Sequence, residues 1–153
     1  MAAQAPVEFT KEIIISATPS LVWQALTVSV QMAAWMAETP IEIRTTWQVG
    51  SPIIIQGPWY KTGFVNKGFA LAYEPEQTLQ YSHLSSLSHL PDEPASYTIL
   101  SFRLVAKEGK TQLTFTATNF PTEVIYRHFA FYWNVALELL KKYVEQDAGA
   151  TPS

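Results

Sequence analysis

Tyr81 and His83 stand two residues apart in Leu79-Gln80-Tyr81-Ser82-His83-Leu84, so on a strand they share one face. An imidazole enclosed in a dry hollow can take and return a proton near neutral pH, and a phenol beside it can hold a substrate oxygen. His83 and Tyr81 are therefore the catalytic candidates, and the chemistry would be proton movement of the cyclase or dehydratase kind. Such a base needs a partner to fix its tautomer, and spacing assigns His83 no carboxylate. The competing and weightier reading is a structural histidine in or beside the core. His89 and His128 read as surface residues. With three histidines lacking H-E-x-x-H spacing and Cys 0, a metal site and thiolate chemistry are not expected. Arg44 and Arg103 have outward parity and read as solvated. The chain contains no glycine-rich phosphate cradle, nucleophile elbow or P-loop, and no cofactor is expected.

Rings are the other resource. Aromatics make up 13% of the chain, with Trp 5, Tyr 7 and Phe 8, and such side chains need a dense core or a cavity to line. Trp35, Trp47, Phe69, Tyr81 and His83 are expected to converge with Leu100, Phe102, Phe120, Phe129 and Trp133. Together they would give apolar walls with a few polar atoms, the make-up of a small-molecule pocket. Plain core packing is the competing reading. The net charge of -3 with scattered cations argues against nucleic acid and anionic membranes as partners. The aliphatic runs Ile13–Ile15 and Ile53–Ile55 are too short to span a bilayer, and the first residues have no apolar signal region, so a cytoplasmic location is expected.

These residues must be positioned by the elements around them. Pro121 to Gln146 reads as one long helix. At about 100° per residue, Ile125, Phe129, Tyr132, Trp133, Ala136, Leu137, Leu140, Tyr143 and Val144 form a broad apolar face, with Arg127, Asn134, Glu138, Lys141 and Glu145 opposite. Among the polar residues, on the side away from the main face, Val124, Phe131 and Val135 make a second, narrower apolar stripe, the candidate interface for a homodimer or for a lid loop. Upstream, Val7 to Ser16 alternates as a strand with Phe9, Ile13 and Ile15 inward, a pattern that Lys11 and Ile14 break. Thr18-Pro19 caps a short helix to about Leu26, and Ser29 is expected to cap a second through Trp35 and Met36. About six antiparallel strands follow, with Ser85–Pro94 as a loop at the edge of a cavity. In the last two, Leu100, Phe102 and Leu104, then Leu113, Phe115 and Ala117, point inward. The class is α+β: a curved antiparallel sheet of six to seven strands against a long C-terminal helix, forming one domain over 7–146, with 1–6 and 147–153 as flexible termini.

That order, together with particular residues, resembles the helix-grip, START-like (SRPBCC) fold of polyketide cyclases and lipid-transfer domains. The branch is the one named for the C-terminal domain of the heat-shock-protein-90 ATPase activator. The residues are Ala17-Thr18-Pro19, Val22-Trp23, Ala25-Leu26-Thr27, Trp35, Gly68, Glu74-Pro75, Leu79-Gln80-Tyr81, Thr111-Gln112-Leu113-Thr114 and, on the final helix, Trp133, Leu137, Leu140 and Lys141. The resemblance implies a hollow between sheet and long helix. Two departures matter: Tyr132 stands where the family usually has glycine, and His83 where it tends to have an aromatic. Tyr132 would narrow or redirect the hollow.

Three functions follow as expectations. The first is binding of a hydrophobic small molecule, favoured because the chain supplies cavity-type residues and no reactive constellation. The second is a cyclase or dehydratase using His83 or Tyr81. The third, implied by the family's name, is a co-regulator of the chaperone's ATPase; it is discounted because the activator's partner contacts involve a separate N-terminal domain for which this chain leaves no room.

Overall fold

The computed structural model describes residues 8–37, 39–58 and 63–149, with side chains through 146. Of the termini expected to be flexible, 1–6 and 147–153, residues 1–6 and 150–153 lie outside the described residues, as does Val7, whereas 147–149 continue the last helix. The chain runs β1 (Glu8–Ile15), α1 (Pro19–Thr27), α2 (Ser29–Met36), β2 (Glu42–Thr45), β3 (Pro52–Gly57), β4 (Phe64–Glu74), β5 (Thr78–Ser85), β6 (Thr98–Lys107), β7 (Lys110–Thr118) and α3 (Glu123–Gly149). The strands form one curved antiparallel sheet of seven, ordered β1-β7-β6-β5-β4-β3-β2. This is the α+β helix-grip architecture, with α1 and α2 following the first strand.

Alternation sets the inner face. Leu100, Phe102 and Leu104 on β6 and Leu113, Phe115 and Ala117 on β7 are buried, and Phe102 pairs directly with Phe115. Burying a side chain of this size contributes about 1.5–3 kcal/mol. Helix α3 lays Phe129, Trp133, Ala136, Leu137, Leu140 and Val144 into this face. It begins at Glu123 rather than Pro121, because the Thr122 hydroxyl accepts the Ile125 N–H at 3.1 Å and so caps the first turn. The Thr18 hydroxyl does the same for α1, accepting from Leu21 N–H at 3.4 Å. Ser29, expected to cap α2, is instead its first helical residue. The two helices share Val28, whose N–H closes α1 on the Gln24 carbonyl and whose carbonyl accepts from Met32.

Lys11 occupies an inward position of β1 among Phe9, Ile13 and Ile15. Its Nζ donates to both the carbonyl and side-chain oxygens of Asn134 at 2.9 Å and lies 3.1 Å from Glu138. Lys141 Nζ donates to the Ile14 carbonyl at 2.7 Å, and Glu145 accepts the Ser16 N–H at 2.8 Å. Four of the five polar residues expected to face away from the sheet thus fasten α3 to β1. Arg127 alone faces out, paired with Glu123 one turn back.

On β4 the register shifts between Ala70 and Ala72. Phe64, Asn66, Gly68 and Ala70 point inward before the irregularity, and Tyr73 does so after it, against Trp23 and Trp47. Gly68 is required there: a Cβ would meet the Ser82 carbonyl oxygen at 1.7 Å.

Candidate functional site

Most of the rings expected to wall a cavity come together, and they meet one another. Trp133 lies 4.6 Å from Phe115, 5.7 Å from Phe102 and 6.2 Å from Trp35, measured between ring centres. Tyr81 sits between Trp47 at 5.7 Å and Phe102 at 6.1 Å, and Leu100 is fully buried nearby on β6. Two indole N–H groups are committed to helix α1. Trp35 donates to the Ala25 carbonyl at 2.8 Å and Trp47 to the Thr27 carbonyl at 2.7 Å. Trp47 is held there with φ at 59°, a conformation rare for a bulky residue. Phe69 departs from expectation. It lies on the opposite face of the sheet, 46% exposed, with its ring beside Tyr97. The register shift explains this, since counting back by twos from inward Tyr73 crosses the irregularity and reverses the face.

The polar end of the inner face lies at the other side of this ring cluster. His83 packs edge-on against Phe129 at 5.1 Å, and Phe129 in turn meets Phe120 at 6.0 Å. His83 is half-buried by its exposed surface; loss of solvent around the ring, and then the nearby His128 imidazole, push its pKa down to about 4, so the ring is neutral at physiological pH. Among the described residues no carboxylate hydrogen-bonds or ion-pairs with it. Burial also lifts the Tyr81 phenol well above its usual range, which keeps it protonated.

Sequence reasoning missed Asn66. Lys67 pairs with Leu84 and Ala70 with Tyr81, which sets side-chain-free Gly68 beside His83 and Asn66 one inward position further along β4. The Asn66 Oδ1 is buried and has no hydrogen-bond partner among the described residues. An unpaired buried acceptor costs about 1–3 kcal/mol. The signal in the sequence was a carboxamide at the same parity as Phe64 and Ala70.

Phe64, the inward residue preceding Asn66, borders a hollow of about 510 Å³ where β2, β3 and β4 end, lined also by Ile41, Glu42, Gln56 and Gly57. A smaller hollow of about 270 Å³ lies on the outer face, beneath the segment after β5, where Lys67 pairs with Asp92. The rings expected to line a hollow between sheet and helix border neither. Among the described residues no three His, Asp or Glu side chains are placed to hold a metal ion, and no helix is long and apolar enough to cross a membrane.

Similarity to known proteins agrees with this architecture. The search of curated proteins returned no match. Among solved structures, the solution structure of ChR145 from Cytophaga hutchinsonii is 29% identical and superposes with a TM-score of 0.80, covering 97% of this chain and 100% of its own. The Aha1 dimer from Colwellia psychrerythraea is 26% identical, with a TM-score of 0.70 over 92% of this chain and 97% of that one. Protein MLL2253 from Mesorhizobium loti, 24% identical with a TM-score of 0.76 over 91% of this chain and 97% of its own, shares the fold. The family model for Activator of Hsp90 ATPase homolog 1-like proteins matches residues 16–145. Fold, helix order and this match across most of the sequence agree: the chain belongs to the Activator of Hsp90 ATPase homolog 1-like family.

Proposed function

We propose that the protein binds a hydrophobic small molecule carrying a hydrogen-bond donor, held on the inner face of the sheet between Asn66, His83 and Phe129. The observation that carries this reading is the buried Asn66 Oδ1, unpaired among the described residues, an acceptor that a ligand hydroxyl or N–H would satisfy. The neutral His83 ring offers one donor and one acceptor beside it. The hollow next to Phe64, at about 510 Å³, falls within the range that small-molecule sites occupy, and Asn66 is the next inward residue of β4 after Phe64. A proton-transferring cyclase or dehydratase would want a base with a pKa near its working pH and a group to orient it. His83, at about 4 and with no carboxylate partner among the described residues, favours binding over catalysis.

The protein acts in this reading as a homodimer, supported by the relative from Colwellia psychrerythraea, whose structure is described as a dimer. Native mass spectrometry of protein purified from its own host tests the ligand reading. A co-purifying small molecule, lost in Asn66→Leu while the fold survives, is the expected result. A ligand-free chain that binds no apolar alcohol or phenol probe in solution overturns it. Pull-down against the chaperone separates the co-regulator reading: capture of the intact chaperone by this chain would revive it.

A further inference from the structure

Helix α3 has an outward face that the described residues leave uncovered. Val124 and Phe131 are 75% and 76% exposed and Val135 is 48% exposed; His128 and Lys142 are exposed as well, and the Glu138 side chain is half exposed. The positions Val124, His128, Phe131, Val135, Glu138 and Lys142 recur at alternating spacings of four and three, the repeat of a helix seam that packs against another helix.

That seam is complementary to itself in one orientation. Laid antiparallel on a second copy, with the two-fold axis level with Trp133, the repeat sets each residue opposite the one whose number completes the same sum. Phe131 then faces Val135 of the other copy, His128 faces Glu138, and Val124 faces Lys142. The apolar pairs fall at the centre. The cationic or donor group on the N-terminal half meets the carboxylate on the C-terminal half, and the Lys142 stem can lie over Val124 with its ammonium in water. Arg127, exposed beside His128, adds positive charge next to the same carboxylate. A parallel arrangement would set Glu138 against Glu138 and Lys142 against Lys142, so charge selects the antiparallel one. Glu138 already lies against Lys11 of β1, whose ammonium also donates to Asn134. Arg127 likewise retains its pairing with Glu123.

We infer that the homodimer forms through α3 of each copy, packed antiparallel about an axis at Trp133, with Phe131 and Val135 as its centre. This rests on the homodimer reading given above and specifies its surface and register.

The chain has no cysteine, so pairs of single-cysteine variants report the register directly. Val124→Cys and Lys142→Cys leave the Lys11–Glu138 contact intact, and the two positions are roughly 27 Å apart along one helix at 1.5 Å per residue. Mixed and oxidised, they are expected to give a disulfide-linked dimer, while neither alone does so. Light scattering of the unmodified protein is expected to give twice the chain mass, and Phe131→Glu, with an unchanged circular dichroism spectrum, one chain mass. A monomer at millimolar concentration overturns both the homodimer reading and this one. A dimer that survives Phe131→Glu and fails to cross-link overturns only the α3 interface, and places the dimer elsewhere.

Discussion

The Tyr132 hydroxyl on α3 donates to the Met36 carbonyl at the end of α2, 2.7 Å away, while its ring stands perpendicular to Trp133 at 5.2 Å. Where the family tends to carry glycine, this chain thus carries a strut that ties the long helix to the short one. Burial raises the Tyr132 pKa to about 12, as for a phenol that stays protonated and donating. Tyr132→Phe is expected to lose about 1 kcal/mol, the net contribution of one hydrogen bond. Tyr132→Ala should lose about 3 kcal/mol through the vacated ring volume. Urea unfolding followed by tryptophan fluorescence measures both, and an unchanged stability in Tyr132→Phe would show that the hydroxyl contributes nothing.

His83 makes stability depend on pH in a defined direction. Its folded pKa of about 4 lies below the ordinary 6.5, so below 6.5 the unfolded chain binds a proton that the folded chain refuses. The contribution of this group is complete above pH 6.5 and is lost as pH falls from there through about 4, with a slope of at most about 1.4 kcal/mol per pH unit. His83→Phe should flatten stability across that window. NMR titration of the imidazole supplies the independent check: a midpoint near 6.5 would contradict the burial described.

Glu145 acts in the same direction at lower pH. Lys141, and after it the Ser16 N–H, hold its carboxyl below the ordinary 4.5. The folded state therefore gains from the ionised form above about 4.5, and that gain disappears as pH falls through the lowered folded value. Glu145→Gln is expected to be less stable than the parent at neutral pH and to converge with it in acid. Thermal melts at pH 7 and pH 3 measure the two ends.

In the proposed binding role, Asn66 would trade stability for ligand capture. Asn66→Leu removes an unpaired buried acceptor and is expected to raise stability by about 1 kcal/mol, while weakening capture of an apolar alcohol by about tenfold, the equivalent of one hydrogen bond. Calorimetric titration and denaturation on the same variant read both quantities. Loss of stability with unchanged capture would count against the proposed site.

The inward sets on β6, β7 and α3 were legible because each alternates or repeats without interruption and each has one buried face. Phe69 was not, because one extra residue on β4 reverses the parity and leaves no mark in a stretch as uniformly apolar as Phe69-Ala70-Leu71-Ala72-Tyr73. Lys11 registered only as a break in a pattern; what it meets, Asn134 and Glu138, is more than a hundred residues away and depends on how α3 crosses the sheet. The aromatic set could be gathered from the sequence, but whether rings surround a space or fill it is decided by their rotamers and by distances such as the 4.6 Å between Trp133 and Phe115. Asn66 required knowing that its neighbours across the sheet, Ile55 and Ser85, give its carboxamide oxygen no hydrogen.

The fastening of β1 by Lys141 and Glu145 bears on how copies of this protein meet. A sheet of this order has two margins, and a bare strand margin is a template on which further chains add without limit. At one margin the Ile14 carbonyl and the Ser16 N–H are already taken by side chains of α3. At the other, β2 is four residues long and carries the charged pair Glu42 and Arg44. Both margins oppose growth by strand addition, whereas the contact proposed through the outward seam of α3 would follow a two-fold axis and be complete once two copies had met.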